Sequence, residues 1–461
     1  MRKPKSVAVI GSGVAGLSAA WRLSETAEVT LFEAEPRLGG HAHTVDIKTP
    51  GGRAAVDAGF IVFNPKSYPN FVAMLAHLDI PDAPADMSFA VSMNEGAFEY
   101  AGKALSSVFA TRRNLASPRF ARMLFDVWRF HREARAAYAA GAARTETIGE
   151  FVQRRGYGRL FIDAYLVPMA AAIWSTPALR VLDHPFEAFA RFYLNHGLLQ
   201  ILNLPQWKTV AGGSRSYVDA LAHRVRERPG SSIRLNTQVR AVRRSGDGAT
   251  VVTHGGEERF DAVLFATHAN TSLRLLEAPD SREREILSAF EYAPNRGVLH
   301  ADPSLMPKRK SAWAAWNYLT GARGDEASPV SVSYWMNALQ PLTTTSDVFV
   351  TLNPLREPDP ETVYAEFDYD HPMLTAAAVS AQERIWTIQG RGGVWHAGAH
   401  LGSGFHEDGL QAGLAAAEAM GAPKRPWSVE NESGRVHLGP AGSWSLLDPS
   451  EDALASEQVG K

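Results

Sequence analysis

The chain begins with an apolar run, a helical pattern and a second apolar run. Val7 to Ile10 is apolar at every position, which is typical of a strand buried in a parallel sheet. Val14, Leu17 and Trp21 follow at the spacing of one helix face, and Val29 to Phe32 resumes the strand pattern. This order predicts a strand, a helix and a parallel strand, the repeating unit of a doubly wound sheet.

Later patterns predict two further groups of elements. In the first group, strands are predicted at Ile233 to Val239, Thr250 to Thr253 and Ala262 to Ala266, with a hairpin turn at Ser245 to Gly248. In the second group, helices are predicted at Phe120 to Ala140 and Thr147 to Trp174, and strands at Val330 to Trp335 and Val348 to Leu352. After about Ala422 the pattern fades, and Ser443 to Lys461 in particular indicates a surface wrap or a mobile tail.

Composition narrows the classes of function. Hydrophobic residues make up 45% of the 461 positions, charged residues 21%, and the net charge is -2. These values predict a globular protein that binds no nucleic acid. No cysteine is present, which excludes thiolate chemistry and iron–sulfur clusters, so any redox chemistry must belong to a cofactor. The longest apolar stretch, Tyr165 to Trp174, is about half as long as the ~20 residues of a membrane span, so no transmembrane helix is predicted. We expect a cytoplasmic location.

A glycine-rich loop follows the first strand. Gly11-Ser12-Gly13-Val14-Ala15-Gly16 stands between strand and helix, and Glu33 with Ala34 ends the next strand. In a dinucleotide fold, the first glycine makes the tight turn, the second lets the backbone approach the pyrophosphate, and the third packs the helix on the strand. The acidic residue accepts hydrogen bonds from ribose hydroxyls. This motif predicts a dinucleotide but does not separate NAD from FAD.

Two more glycine segments bear on which dinucleotide binds. Arg37-Leu38-Gly39-Gly40-His41 comes soon after Glu33, although a glycine pair is equally typical of an ordinary turn. The other segment runs from Gly398 to Leu410 and opens an alanine-rich helix that reaches Met420. Capping of that helix explains Asp408 in this segment better than a catalytic role does.

Five longer strings are spread along the chain. They are Asp57 to Asn64, Tyr68 to Asn70, Ala312 to Tyr318, Ser333 to Asn337 and Gly404 to Gly409. With the glycine segments, they resemble the flavin-containing amine oxidase superfamily. The branch they resemble comprises bacterial NAD/FAD-binding proteins that are similar to the N-terminal half of plant cyclopropane fatty acid synthases and to the desaturase of the furan fatty acid pathway. The resemblance extends from residue 6 to about residue 420.

The resemblance implies an α/β fold (α+β overall), with a doubly wound GxGxxG-type FAD-binding domain and a substrate domain of mixed sheet plus helices. We expect the FAD-binding domain at 1–80, 205–290 and 390–425, the substrate domain at 81–204 and 291–389, and a C-terminal tail at 426–461. FAD is the implied cofactor, and no metal site is expected. The implied cofactor-binding residues are Gly11, Ser12, Gly13, Val14, Ala15, Gly16, Glu33, Ala34, Arg37, Gly39, Gly40, His41, Gly59, Phe60, Ile61, Val239, Thr267, Gly398, His400, Phe405, Glu407, Asp408, Gly409 and Leu410.

For function, the resemblance implies an FAD-dependent desaturase or dehydrogenase of a fatty acyl chain, free or bound in a phospholipid. A hydride would pass to flavin N5, so positioning and an apolar channel would do most of the work. The candidates for removing a proton are His300, Tyr318 and His43, and the candidates for lining the substrate channel are Trp313, Trp316, Tyr334 and Trp335. Structural roles explain all of these residues too. The sequence does not indicate the electron acceptor.

Two other functions stay open. The first is amine oxidation, because relatives with that activity tend to place a lysine near flavin N5. Lys308 and Lys310 are the available lysines in the matching region, but their context is unlike that of an amine oxidase. The second is a non-catalytic flavoprotein that holds FAD as a structural element.

A basic stretch between residues 101 and 144 bears on a lipid partner. Its basic residues are Lys103, Arg112, Arg113, Arg119, Arg122, Arg129, Arg132, Arg135 and Arg144, against the acidic residues Asp126 and Glu133. Aromatic residues alternate with these charges, so the stretch could lie on an anionic bilayer, at the inner face of the membrane. An amphipathic helix with its arginines in water explains the same pattern.

Overall fold

The structure is a computed structural model that describes residues 3–141, 146–174, 178–199, 205–246, 248–321 and 331–439. The chain forms two compact units. The first comprises the residues up to Gly40, Tyr217–Glu291 and those from Ala377 onward, and the second comprises His41–Ser216 and Tyr292–Ala376. Some sequence predictions lie outside the described residues, namely those for Arg144, Asp247, Val330 and Ser443 to Lys461.

These units do not coincide with the predicted domains everywhere. Residues 41–80 and 205–216, which we expected in the FAD-binding domain, group with the second unit. Compactness does not decide which residues bind a cofactor, so the functional domain boundaries stay a prediction.

A parallel sheet forms the centre of the first unit. From one edge to the other, its strands are Val394–His396, Ala262–Phe265, Ser6–Ile10, Glu28–Phe32 and Ser232–Arg234. A second, antiparallel sheet consists of Val239–Ser245, Gly248–Thr253 and Gly256–Phe260, which confirms the predicted hairpin. The helices of this unit are Val14–Leu23, Arg215–Arg226, Ala269–Leu275, Ser281–Ser288, Ala376–Arg384, Ile385–Thr387, Ala399–Leu401 and His406–Ala419. Arg215–Arg226 begins two residues before its segment of the unit, and Ala376–Arg384 begins one residue before its segment.

The predicted strand from Ile233 to Val239 is wrong as a single element. Asn236 has a φ of +51°, and a residue in the left-handed region cannot continue a pleated strand. The N–H group of Thr237 instead donates to the carbonyl of Glu33 at 2.8 Å. The parallel sheet therefore ends at Arg234, and the hairpin begins at Val239.

The first helix of this unit packs closely on the last. Every residue of Val14–Leu23 is buried. On His406–Ala419, a methyl group at Gly413 would overlap the carbonyl oxygen of Ala15, and one at Gly409 would lie 2.9 Å from Cγ1 of Val14. The missing side chains therefore allow the two helices to approach.

A seven-stranded mixed sheet forms the centre of the second unit. Its strands in order are Val363–Pro372, Tyr292–His300, Phe349–Leu352, Ser331–Trp335, Trp316–Leu319, Phe89–Met93 and Phe98–Ala101. Two further strand pairs form small sheets of their own, Thr44–Thr49 with Gly52–Asp57 and Asp82–Ala85 with Trp207–Val210. The helices are Pro69–His77, Leu105–Val108, Arg112–Ala116, Pro118–Ala139, Ile148–Arg154, Arg159–Phe161, Ile162–Leu166, Val167–Trp174, Ala178–Val181, Phe186–Asn195, Pro303–Leu305, Lys310–Ala312, Met336–Leu339 and Pro360–Thr362. A parallel sheet in one unit and a mixed sheet with helices in the other confirm the predicted fold class.

The helix predicted from Thr147 to Trp174 is interrupted. Gly156 has a φ of +64°, which ends the helix that begins at Ile148. Helical structure resumes at Arg159, with one π-helical turn at Ile162–Leu166. The helix predicted from Phe120 to Ala140 is confirmed as Pro118–Ala139. In the part of the chain that the structure describes, no helix is long and apolar enough to cross a membrane.

A buried carboxylate joins three segments of the second unit. Asp57 has no exposed surface. Its oxygens accept hydrogen bonds from the Thr44 hydroxyl at 2.5 Å, the Ser214 hydroxyl at 2.8 Å and the side-chain amide of Gln340 at 2.9 Å. The N–H group of Ser214 donates to the same carboxylate at 3.0 Å. Burial raises the pKa of Asp57, and these donors partly offset that increase.

Asp57→Ala should destabilise the protein by about 3 kcal/mol or more, because it leaves several buried donors without an acceptor. Asp46→Ala is the matched control, since Asp46 lies on the neighbouring strand and pairs with Arg215 at the surface. This control should change stability by less than about 0.5 kcal/mol. Urea midpoints followed by circular dichroism check both values, and equal midpoints for the two variants would contradict the assigned role of Asp57.

Candidate functional site

The predicted cofactor residues of the first unit gather at the carboxyl end of its parallel sheet. Gly11, Glu33, Thr267 and Gly398 each follow the last residues of one strand. Because these strands run parallel, their ends lie along one edge, where open parallel sheets bind ligands. The side chain of Val239 lies instead in the apolar core.

The three glycines of the first loop differ in the space around them. A methyl group at Gly16 would overlap the carbonyl oxygen of Gly11. At Gly11, which has a φ of +100°, a methyl group would lie 2.8 Å from the carbonyl oxygen of Ala266. At Gly13, φ is -64° and a methyl group would meet no heavy atom within 4 Å. Only the middle glycine therefore leaves a gap, and this gap fits the close approach of a pyrophosphate.

The gap lies beside the N-terminus of the helix Val14–Leu23. Gly13 is the cap residue, and no side chain bonds to the first turn of the helix. The first N–H groups of a helix point away from it as donors, and they lie at the positive end of the helix dipole. Val14, Ala15 and Gly16 supply these groups, so this helix end suits a phosphate.

Glu33 is held in place next to the loop. One carboxylate oxygen accepts the N–H group of Ser12 at 2.9 Å and its hydroxyl at 2.5 Å, and the other accepts the N–H group of Glu35 at 3.0 Å. A carboxylate has about four acceptor positions, so capacity for a ribose hydroxyl is left. Ala34 is exposed beside it.

The Gly39-Gly40 pair lies against the same loop. The N–H group of Gly39 donates to the carbonyl of Ser12 at 3.1 Å, and a methyl group at Gly40 would lie 3.2 Å from Cα of Gly13. The Arg37 guanidinium donates to the carbonyl of Gly40 at 2.8 Å. The pair is thus part of the nucleotide loop and not an isolated turn.

The third glycine segment surrounds the start of the helix His406–Ala419. Phe405 donates its N–H group to the Asp408 carboxylate at 2.8 Å, so Asp408 caps this helix. The Glu407 carboxylate accepts the side-chain amide of Gln411 at 2.9 Å. Burial lowers the pKa of His400 to about 3, so its ring is neutral. Gly409 and Leu410 are buried in the first turns of the helix.

Some predicted residues belong to the second unit. They are His41, Gly59, Phe60 and Ile61 among the cofactor residues, together with His43, Tyr318 and His300. The N–H group of Phe60 donates to the carbonyl of His41 at 2.7 Å. Nδ1 of His43 lies 3.0 Å from the hydroxyl of Tyr369, and its ring meets that of Phe367 at 4.8 Å.

The mixed sheet separates the predicted substrate-lining residues onto two faces. Trp316 lies opposite Tyr334, with ring centroids 4.9 Å apart, and Tyr318 is two residues along on the same face. Trp335 is one residue beyond Tyr334 and therefore points to the other face, where its ring centroid lies 5.5 Å from that of Trp313. The structure thus brings together Trp316, Tyr334 and Tyr318, but not Trp313 and Trp335.

His300 lies on the face of Trp335. Its Nδ1 accepts the N–H group of Asp302 at 3.0 Å, and its Nε2 lies 2.8 Å from the hydroxyl of Thr351. Burial lowers the pKa of His300 to about 4, so the ring is neutral. Both ring nitrogens have partners in the sheet, which favours a structural role and leaves a catalytic role a prediction. Burial raises the pKa of Tyr318 to about 12, so it keeps its proton.

Comparison with known proteins identifies the family. The family model for flavin containing amine oxidoreductase matches residues 14–302. The chain belongs to this family. It is a family of FAD-dependent oxidoreductases, which confirms the resemblance and the expected FAD cofactor.

The chain is similar to individual proteins with different activities. The flavin-dependent L-tryptophan oxidase RebO of Lentzea aerocolonigenes is 26% identical over 282 residues, which cover 57% of this chain and 58% of that protein. The chain therefore spans little more than half of that relative's length.

Two solved structures cover nearly the whole chain. The CLA-producing fatty acid isomerase from P. acnes has 15% identity and a TM-score of 0.65, covering 91% of this chain and 98% of that one. Cyclohexylamine oxidase from Brevibacterium oxydans has 15% identity and a TM-score of 0.63, covering 90% and 98%. At this identity the likeness shows the fold alone.

The residues of the first unit fit FAD. The gap at Gly13 and the helix start at Val14 suit the pyrophosphate, and Glu33 suits the adenosine ribose. The N-terminus of the helix His406–Ala419 would stabilise the negative charge that a reduced flavin ring carries. Two structurally important residues were not among the predicted site residues, Asp57 and Tyr369. Asp57 is a carboxylate between buried residues in one of the matching strings, which is a signal that could have identified it.

Proposed function

We propose that this flavoprotein oxidises a fatty acyl chain, removing two hydrogens as a desaturase or dehydrogenase does. Bound FAD would accept one of them as a hydride, and the other would leave as a proton. The protein's part is to hold an apolar chain in place and to exclude water.

The observation that carries this proposal is the face of the mixed sheet that bears Trp316. On the three central strands, the residues that share this face are Trp316, Tyr318, Val332, Tyr334, Val350 and Leu352. All except Trp316 are buried, and none of these six carries a charge. An apolar face of this kind favours an acyl chain over an ionic substrate, because it holds no counter-charge.

The candidates for taking up the proton differ in their surroundings. His43 lies with Phe367 and Tyr369 at the edge of the same face, whereas His300 lies on the opposite face. His43 is therefore the candidate that the geometry favours. Its hydrogen bond to Tyr369 would orient the ring as a base.

Anaerobic mixing of the FAD-loaded protein with vesicles that carry monounsaturated acyl chains should bleach the visible flavin absorption. Mass spectrometry should then find an acyl product lighter by two hydrogens. Bleaching by amines but not by acyl lipids would overturn the proposal in favour of amine oxidation. Bleaching by neither class would indicate a non-catalytic flavoprotein.

Trp316→Leu should slow acyl-dependent bleaching about tenfold, because it removes an aromatic ring from the proposed binding face. Trp313→Leu is the matched control, since the same change falls on the opposite face, and it should alter the rate by less than about twofold. Rates per bound flavin, measured by stopped-flow absorption, separate catalysis from folding. Equal losses in both variants would contradict the assignment of the face.

Amine oxidation is the second candidate, because the family match and several similar proteins favour it. An aromatic face also suits an amine, which aromatic rings attract when it is protonated. The lysines considered for that chemistry lie elsewhere. The N–H group of Lys308 donates to the buried Glu99 at 2.7 Å, and the ammonium of Lys310 lies over the ring of Trp313. Both therefore belong to the segment next to the opposite face.

A further inference from the structure

Exposed apolar side chains are concentrated in one short part of the second unit. Among the described residues, the large hydrophobic side chains that are exposed are Leu115, Leu124, Phe125, Trp128, Leu355 and Leu438. Four of these six lie between residues 115 and 128. Leu115 is 67% exposed and Phe125 is 52% exposed, values that are unfavourable in water.

The helix Pro118–Ala139 carries two apolar faces. Its inner face packs into the unit through Phe120, Met123 and Phe130, which are fully buried or nearly so. Phe125 and Trp128 lie three residues apart on the outer face, with ring centroids 5.7 Å apart. The inner face already provides the packing that a surface helix needs. The helix therefore does not need the outer rings in order to pack on the unit.

Exposed arginines occur in the same stretch of the chain as these outer rings. Arg112, Arg113 and Arg119 are exposed, and the described residues offer them no ion pair. The guanidinium of Arg132 lies 4.6 Å from the centroid of the Trp128 ring. The acidic residues of the helix do not balance them, because Asp126 is buried and bonded to Arg122 and Arg129, and Glu133 lies between Arg129 and Arg155.

We propose that this face docks on an anionic phospholipid bilayer. We call it the 115–128 surface, with Leu115, Leu124, Phe125 and Trp128 as its apolar part and Arg112, Arg113 and Arg132 as its basic part. The apolar side chains would enter the boundary between headgroups and acyl chains, about 5–10 Å deep. The guanidinium groups would bind lipid phosphates, for which their planar fork is suited. The proposal does not depend on the acyl substrate.

Charge favours a bilayer over a second copy of this chain. A symmetric dimer through the 115–128 surface would bring the same unpaired arginines of both copies together, and like charges repel. An anionic bilayer supplies the opposite charge as well as an apolar interior. The whole chain carries a net charge of -2, so the attraction must come from this local surface and not from the protein's overall charge.

Sedimentation with vesicles tests the proposal on the FAD-loaded protein. Vesicles that contain phosphatidylglycerol should bind it, and vesicles of phosphatidylcholine alone should bind it at least about tenfold more weakly. The double variant Arg112→Glu with Arg113→Glu should weaken binding to the anionic vesicles at least tenfold, since each basic residue accounts for about fivefold. High salt should also weaken the binding of wild-type protein to the anionic vesicles, because it screens the attraction between the charges.

Two further variants make the test specific. Phe125→Ser with Trp128→Ser removes the apolar part and should weaken anionic binding about tenfold or more. Arg282→Glu with Arg284→Glu is the matched control, because it changes the net charge equally on an exposed helix of the first unit. This control should bind like wild type. Flavin content and thermal midpoints show that each variant is folded.

Each remaining outcome counts against the proposal. Equal binding to both vesicle types, or unchanged binding in the two surface variants, would overturn it. A dimer in solution that the Phe125→Ser and Trp128→Ser changes abolish would assign the surface to a second copy. Sedimentation requires no turnover, so failure here and failure of the proposed acyl oxidation are distinguishable.

Discussion

Gly13→Ala should weaken FAD binding more than a hundredfold while the apoprotein stays as stable as wild type. Gly16→Ala should instead destabilise the apoprotein, so that the first unit does not fold stably. The two substitutions add the same methyl group, three residues apart in one loop. Their effects should differ because the surroundings of the two glycines differ.

The physical reason lies in what each methyl group would meet. At Gly13, φ is -64° and the space is open, so alanine fits the chain itself but occupies the gap that the pyrophosphate needs. A displaced pyrophosphate would cost about 3 kcal/mol, or more than a hundredfold in affinity. At Gly16 the methyl group would overlap the backbone oxygen of Gly11. That overlap can only be relieved by moving the helix, at a cost of about 3 kcal/mol or more.

Measurement separates the two effects. Titration of apoprotein with FAD, followed by flavin fluorescence, gives the affinity, and urea midpoints of the apoprotein give the stability. Gly156→Ala is a useful control, because its methyl group also meets open space but lies far along the chain, in the second unit. Its φ of +64° should cost about 1 kcal/mol of stability without changing FAD affinity. Tight FAD binding by Gly13→Ala would rule out the proposed cradle.

The glycine loop and its partners could be predicted because their geometry is local. Turn, helix start and acidic strand end follow each other within about thirty residues, and each has a physical requirement that the sequence displays. The prediction of a single strand from Ile233 to Val239 was wrong for a local reason as well, since nothing in the composition of this segment shows that Asn236 takes a left-handed conformation.

The sheet faces and the Asp57 network could not be predicted in this way. Trp313 and Trp316 stand in one string, but the backbone turns between them, and only pairing with the strand Ser331–Trp335 fixes which face each occupies. Asp57 binds partners 157 and 283 positions away in the chain. Contacts over such separations arise from the assembled unit and leave no periodic signal in the sequence.

Acidification should destabilise the first unit steeply, beginning below about pH 6.5. Three of its histidines, His396, His400 and His406, are buried, and burial lowers the pKa of each from 6.5 to about 3. A histidine that is neutral in the fold but protonated when unfolded contributes stability that is fully present above the unfolded pKa. That contribution is lost as the pH falls from about 6.5 towards about 3, because the unfolded chain then binds more protons.

The expected loss of stability is large because the contributions of the three histidines add. At about pH 5.5, each histidine should contribute a loss of about 1.4 kcal/mol, and all three together about 4 kcal/mol. His396→Phe should remove about a third of this pH dependence. The ring of His396 is stacked on Phe265 at 5.5 Å, and neither of its nitrogens has a partner among the described residues. Phenylalanine keeps the stack and leaves no proton to bind.

Urea midpoints of the apoprotein at about pH 7.5 and about pH 5.5 measure this dependence. His223→Gln is the control, because His223 is exposed on the helix Arg215–Arg226 and pairs with Glu227 at the surface. It should leave the difference between the two midpoints unchanged, whereas His396→Phe should reduce it by about a third. A wild-type midpoint that stays constant between the two pH values would mean that these rings already carry a proton in the folded protein, or that water reaches them. In that case the burial of these three rings would not hold in the apoprotein.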